Sequence, residues 1–362
     1  MKKRIVHIIC KEKFTNGYIS FFRLKMTEYY HVFYVVDNNS GYELSQDENI
    51  HLVSSYQEIL SINNKEVLCN AHKIIISGLF ELDRFLFDLS LVHGVLRKTY
   101  FQFWGGDFYC FADVHRSFHI RQIVKRAVRK HSYKNAAGLI FLINGEYEKF
   151  VDILGITNKH FVAPMPGNPQ DRKWFELIDR VEEHNELRIL LGNSMDPSNC
   201  HEEAFNTLAK YKDENIKIYC PLSYPSGYES YRDDIIKKGH QVFGDKFIPL
   251  VDYQPYDDYR LFLASIDIGV YANNRQQAMG NINGLIQLGK KVFIKSNTSM
   301  WKSYRDDKYA LFDFEWISSL SFSDFAYMDE KTREANINLG KQNDSVQEAK
   351  TAWSKILNDG DE

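Results

Sequence analysis

Short β-branched and aromatic runs alternate along this chain with stretches of helical periodicity. Residues 4–10, 31–36, 73–77, 99–104, 137–143 and 160–162 read as strands, with helix-like segments between them. That alternation predicts an α/β domain, a parallel sheet with helices on both faces. A second series at 187–191, 216–220, 247–250, 266–271 and 291–294 repeats the layout without a detectable repeat in sequence. Between the two series, 163–169 (APMPGNP) holds three of the chain's eight prolines and leads into a charged, weakly patterned segment ending near Glu186. The expected organisation is a first α/β domain at 1–163, a linker at 164–186, a second α/β domain at 187–318, and a helical segment at 319–362 that could cross back to the first domain.

The length of 362 residues accommodates two such domains, each with its own core. A hydrophobic fraction of 44% excludes a disordered chain. Five cysteines without a C-x-x-C pair argue against a disulfide framework or a zinc site and suit a reducing, cytoplasmic compartment. The apolar run after Lys2, Lys3 and Arg4 ends at Lys11, too short for the core of a signal peptide. No window approaches the ~20 apolar residues that cross a bilayer, so any membrane contact is expected to be peripheral. The net charge of −3 hides a cationic island: no acid lies between Asp113 and Glu146, while Arg116, Arg121, Lys125, Arg126, Arg129, Lys130 and Lys134 accumulate. Ile120, Ile123, Val124, Ala127 and Val128 fall at helical spacing within it. The segment is either a helix for anionic lipid headgroups or a packed helix with a solvated basic face. No nucleic-acid-binding module is visible, so nucleic acid is not an expected partner.

Candidate chemistry gathers at strand ends. Residues 271–294 (YANNRQQAMGNINGLIQLGKKVFI) run from a strand through a polar turn with Arg275, Gln276 and Gln277 into a helix start at Gly280 and Asn281. Free N–H groups of that helix beside Arg275 suit a diphosphate. Lacking both GxxxxGK[ST] and the spaced glycines of a dinucleotide fingerprint, the turn points to a nucleotide-sugar rather than ATP or NAD. After the strand at 187–191 come Gly192, Asn193, Ser194, Asp196, Ser198, Asn199 and His201, either phosphate donors or a turn with an N-cap. The loop PLSYPSGY offers Tyr224 for stacking on a base or sugar, or is a proline-shaped surface turn. In the first domain, Trp104, Gly105, Gly106 and Asp107 follow a strand. Asp107 there is either a general base for a sugar hydroxyl or a capping acid. Thr15, Asn16 and Gly17 are a weaker acceptor-side candidate, beside the plainer reading of a cap and turn. The only D-x-D, at Asp359 and Asp361, lies in the terminal tail, so neither a metal nor another cofactor is expected.

These motifs resemble the bacterial TDP-N-acetylfucosamine:lipid II N-acetylfucosaminyltransferases, also called 4-α-L-fucosyltransferases, of glycosyltransferase family 56. The likeness runs through W-G-G-D at 104–107, G-N-S-x-D-x-S-N-x-H at 192–201, P-x-x-Y-P at 221–225 and A-x-R-Q-Q-x-x-G from Ala272, with Asn273 and Asn274 departing from a more apolar approach to the Arg. The resemblance implies a GT-B fold, two Rossmann-like domains facing an interdomain cleft, with the donor on the second. It implies Gly192, Asn193, Ser194, Tyr224, Arg275, Gln276, Gln277 and Gly280 on the donor side, with Asp107 as acid-base group; Ser198, Asn199 and Asn281 join the donor side on their place in the loops alone, Asn281 and Asn283 being departures from the family that leave the donor sugar and base open. On the reading of the residues themselves, Thr15, Asn16, Gly17, Trp104, Gly105 and Gly106 would face the acceptor, the first three in a part of the chain that matches the family only in layout. The implied partners are a TDP-sugar or other NDP-sugar and a polyprenyl-diphosphate-linked saccharide or glycan, met at the cytoplasmic face of the inner membrane, where Arg121, Lys125, Arg126, Arg129 and Lys130 would touch the surface. Enterobacterial common antigen assembly is the family's setting, and O-antigen or capsule synthesis with another deoxyamino sugar would fit the same motifs. Two rivals share the features: a nucleotide-sugar 2-epimerase, and a non-catalytic nucleotide-sugar or membrane-surface binding protein.

Overall fold

A computed structural model describes residues 2–38, 41–80, 82–112, 120–167, 174–180, 183–225, 227–343 and 345–360, with the side chains of 62–63 and 120–122 outside the description. The chain forms two compact units, one of 1–171 with 344–362 and one of 172–343.

Unit 1 is built on β1 (Arg4–Cys10), β2 (Tyr30–Val36), β3 (Ile50–Val53), β4 (Lys73–Ser77), β5 (Thr99–Phe103), β6 (Gly138–Phe141) and β7 (His160–Val162), in the order β3-β2-β1-β4-β5-β6-β7. Its described pairings are all parallel, with β1 between β2 and β4. Alternate residues of β1 feed two cores. Val6 and Ile8 join one cluster with Phe101 and Phe103, while Ile5 and Ile9 join another with Tyr18, Phe22 and Phe33. Both faces are covered, which is why the strands read as continuous apolar runs.

The second of those clusters is closed by the helix Ser345–Leu357, which buries Ala349, Trp353, Ile356 and Leu357. Trp353 meets Phe22 edge-on with ring centroids 4.9 Å apart, and its indole N–H donates to Pro164 O at 3.2 Å. Beyond the helix, Asp359 pairs with Lys159 and accepts from Tyr100 Oη at 2.7 Å. Lys73 Nζ donates to Ile356 O at 3.1 Å. One glycine pair is forced by proximity: a Cβ on Gly17 would lie 1.9 Å from Gly167 O.

Unit 2 has β8 (Leu187–Leu191), β9 (Ile216–Pro221), β10 (Phe247–Leu250), β11 (Ile268–Tyr271), β12 (Lys291–Ile294) and β13 (Phe312–Asp313), ordered β10-β9-β8-β11-β12-β13. Ile189, Leu191, Ile218, Val270 and Phe293 are buried in one of its cores. Within the segment expected as a linker, Trp174–Arg180 is a 3-10 helix of unit 2, with Trp174 buried against Gly284. Residues 168–173 and 181–182 lie outside the described residues.

Candidate active site

The strand order of unit 2 reverses between β8 and β11, because the chain first builds outward through β9 and β10 and then returns. Ligands of open α/β sheets bind at such a reversal, beyond the carboxyl ends of the strands. Two expected loops meet there. After β8, Gly192 has φ +69, and a Cβ on it would stand 3.0 Å from Asn199 Oδ1 and 3.2 Å from His201 Nε2, so glycine is required twice over. Asn199 is fully buried and braces the loop: Nδ2 donates to Ser194 O (3.0 Å) and Asp196 O (2.9 Å), and Oδ1 accepts from Asn193 N (3.0 Å). It shapes the site from beneath, in place of the donor contact expected of it. The β9 loop joins through Tyr224, whose carbonyl accepts from Met195 N at 2.7 Å and whose hydroxyl accepts from Asn193 Nδ2 at 2.9 Å.

The turn after β11 closes on the β8 loop. Ser198 Oγ lies 2.9 Å from Gln277 Oε1, and Arg275 Nη2 donates to Asp196 Oδ2 at 3.1 Å. The helix Met279–Gln287 then starts from Ala278 (φ +60) with no side-chain cap and no acid in its first turn. Its positive dipole end therefore meets no acidic side chain from its own first turn. Gly280 lies in that turn, while Asn281 Nδ2 donates to Tyr259 Oη at 2.9 Å. Around the loops, Asn193 Oδ1, Gln276 Oε1, Gln277 Nε2 and both amide atoms of Asn273 are buried without a protein partner. Such a concentration of unsatisfied polar atoms is unusual in a folded protein and suits a polar ligand. His201 is kept neutral: burial lowers its pKa to about 4, and Nδ1 pairs with Tyr231 Oη at 3.0 Å.

In unit 1 the order reverses between β1 and β4. Here the expected residues are held by the fold itself. Thr15 Oγ1 donates to Cys10 O and accepts from Glu12 N, both at 2.9 Å. Asn16 ties down the 43–45 segment through Glu43 O and Ser45 N, and Gly17 abuts Gly167. Asp107 is 1% exposed, and its Oδ2 accepts from Leu79 N (3.1 Å) and Trp104 N (3.0 Å). Burial raises its carboxyl pKa, against the pull of those N–H groups and of Arg129. The carboxylate thus locks the loop after β4 to the loop after β5, where the sequence suggested an open strand end. Gly105 (φ +97) precedes the short helix Gly106–Tyr109. The ring of Trp104 packs over Gly78 and meets Phe80, a 43% exposed aromatic that sequence reasoning did not single out.

The model of the family described as 4-alpha-L-fucosyltransferase, glycosyl transferase group 56, matches residues 5–322. The chain belongs to this family. It is a glycosyltransferase. Its fold is similar to that of a glycosyltransferase from Rickettsia africae (13% identity, 99% of this chain and 98% of that one, TM-score 0.63). WaaG, a glycosyltransferase involved in lipopolysaccharide biosynthesis, matches at 11% identity over 98% of each chain with TM-score 0.60. A UDP-forming α,α-trehalose-phosphate synthase from Burkholderia xenovorans matches at 11% identity over 100% of both chains with TM-score 0.68. These likenesses establish the GT-B fold, two parallel-sheet Rossmann-like units.

The basic helix of the glycosyltransferase spans Ile120–Lys134. Arg129 corrects the expectation of a surface cation: it is 5% exposed, with Nε on Asp83 Oδ1 at 2.6 Å and Nη1 on Leu79 O at 3.0 Å. Lys125 reaches the same Asp83 at 3.4 Å, and Arg126 donates to Ile153 O at 2.7 Å. Lys130 is half-buried, and the Arg116 residue and Arg121 side chain lie outside the described residues. Conversely, Ile123 and Val124 are exposed. Among the described residues no helix is long and apolar enough to cross a membrane, and no group of three His, Cys, Asp or Glu side chains is placed to hold a metal ion.

Proposed function

We propose that this glycosyltransferase moves a deoxyamino sugar of the 4-acetamido-4,6-dideoxygalactose type from a TDP-linked donor to a lipid-linked or glycan acceptor in bacterial surface polysaccharide synthesis. The observation that carries the donor half is Arg275 standing beside the uncapped, acid-free N-terminus of Met279–Gln287 at the strand-order reversal of unit 2. As the glycosyl bond breaks, negative charge grows on the departing diphosphate. A guanidinium and fixed amide dipoles meet that charge, and we assign them this work in place of a protein-held metal. Asn193 and Ser194 orient phosphate or sugar oxygens, and Tyr224 lies against base or sugar. Asp107 acts by positioning the β4 and β5 loops.

The acceptor half and the setting rest on family membership and on the basic helix. Exposed Ile123 and Val124 among cations suit insertion at an anionic headgroup layer, at the cytoplasmic face of the inner membrane. A calorimetric titration with TDP, UDP, GDP and CDP tests the donor assignment. TDP is expected to bind tightest, and Arg275→Ala to weaken it roughly tenfold to a hundredfold, the worth of a charge-assisted hydrogen bond. Unchanged affinity in that variant would remove the diphosphate from this seat.

A further inference from the structure

Arg275 would meet a diphosphate with a carboxylate already at its Nη2 and the Gln276 carbonyl 3.3 Å from its Nη1. Its partner Asp196 holds it at 3.1 Å, with both side chains about four-fifths buried (19% and 22% exposed). The two oxygens of Asp196 have different duties. Oδ2 faces Arg275, while Oδ1 accepts from Ser198 N at 2.8 Å and from Ser198 Oγ at 2.6 Å, capping the 3-10 turn Pro197–Asn199. The second set of bonds does not depend on Arg275. When the guanidinium leaves, the carboxylate stays, tethered in the loop that also carries Asn193 and Ser194.

We infer that Asp196 is an internal anion at the diphosphate seat, holding Arg275 ready in the resting enzyme and opposing the charge of the nucleoside diphosphate once it is bound. The inference rests on the donor reading above and adds a role for a residue which that reading does not use. A free arginine would gain a full ion pair from a phosphate; this one is already paired, so a phosphate adds less while the carboxylate stays nearby. The affinity lost is shared by donor and product, and for the product it shortens residence. Asp196 is a positioning residue that sets how tightly the departing diphosphate is retained.

Asp196→Asn tests this, because an asparagine amide oxygen can still accept from Ser198 N while the charge is gone. Titrations with TDP, inorganic pyrophosphate and thymidine are compared at low and at moderate salt. The expected result is about fivefold to tenfold tighter binding of TDP and pyrophosphate, largest at low salt, with thymidine unchanged. Product inhibition of transfer should strengthen by the same factor. Should the Asn variant fail to fold, Asp196→Ser keeps a capping oxygen without charge and carries the same expectation. If Arg275→Ala weakens TDP but Asp196→Asn weakens it too or leaves it unaltered, Asp196 merely orients Arg275 and the inference is overturned while the donor reading stands. If Arg275→Ala changes nothing, the donor reading itself fails, and this inference with it.

Discussion

Replacing Asp107 distinguishes a catalytic carboxylate from one that locks loops together. In the Ala variant the N–H groups of Leu79 and Trp104, now bonded to Oδ2, face a void in a place that is 1% exposed. Each unsatisfied buried donor costs about 1–3 kcal/mol, so unit 1 should lose roughly 2–6 kcal/mol. For a unit of this size a kilocalorie moves the midpoint by about 2–4 °C, which gives a fall of roughly 4–24 °C. In the Asn variant a single amide oxygen can occupy the position of Oδ2 and keep both of its bonds, while the charge-assisted part, about 1–2 kcal/mol, and the longer Trp104 N to Oδ1 contact at 3.2 Å are lost. The measurements are thermal unfolding and initial rates of sugar transfer on the same preparations. Asn is expected to keep turnover within about tenfold of the parent. Removing a general base costs ~10²–10⁴ in rate whatever the stability. If Ala melts with the parent while both variants lose transfer by that margin, Asp107 is the base and the locking argument is wrong.

Three further outcomes are expected. Gly17→Ala should abolish soluble folding or cost more than about 3 kcal/mol, since its Cβ would stand 1.9 Å from the Gly167 backbone oxygen; a melting midpoint within a degree of the parent would show that the two segments can separate. Trp353→Ala should cost unit 1 about 3–5 kcal/mol in urea unfolding while TDP affinity, which we propose belongs to unit 2, stays within twofold; loss of binding in the folded variant would contradict that proposal. His201 has a folded pKa near 4 against an ordinary 6.5, because burial disfavours the imidazolium. The neutral form is the folded form, so its stabilisation is complete above pH 6.5 and is lost as pH falls from there through about 4, up to roughly 3 kcal/mol. A His201→Gln variant should flatten the urea midpoint over that window, and an unaltered slope would assign the acid sensitivity elsewhere.

Most of the sheet architecture was legible because its strands are buried on both faces. A run such as IVHII in β1, with every one of its apolar members fully covered, has no amphipathic alternative. The two strands that were missed lack this signal. Ile50–Val53 is an edge strand with His51 and Leu52 exposed, and Phe312–Asp313 is likewise an edge strand, of two residues, at the end of the unit 2 sheet. The terminal helix was readable from its periodicity, and its return to the first unit was expected from the layout, without a local signal for the side chains it would meet. Trp353 finds Tyr18 and Phe22 more than three hundred residues earlier, and nothing local to 345–357 states which unit will cover it.

At the site, residue types were legible and their directions were not. Asn, Asp, Gly and Arg at strand ends are what a phosphate seat needs, and they are also what a tight loop needs. Asn193 and Asn199 stand in one motif, yet Asn199 satisfies the loop's own backbone while Asn193 Oδ1 is left without a partner. Arg129 and Arg275 are both arginines beside polar turns. One is enclosed by Asp83 and two carbonyls, the other has one carboxylate and the adjacent Gln276 carbonyl. What separates them is whether the fold already fills every hydrogen-bonding position, a quantity set by contacts across 46 residues in one case and 79 in the other. Asp196 shows the limit most clearly: its capping role was visible two residues away in Ser198, whereas its place opposite Arg275 exists only once β8 and β11 lie side by side.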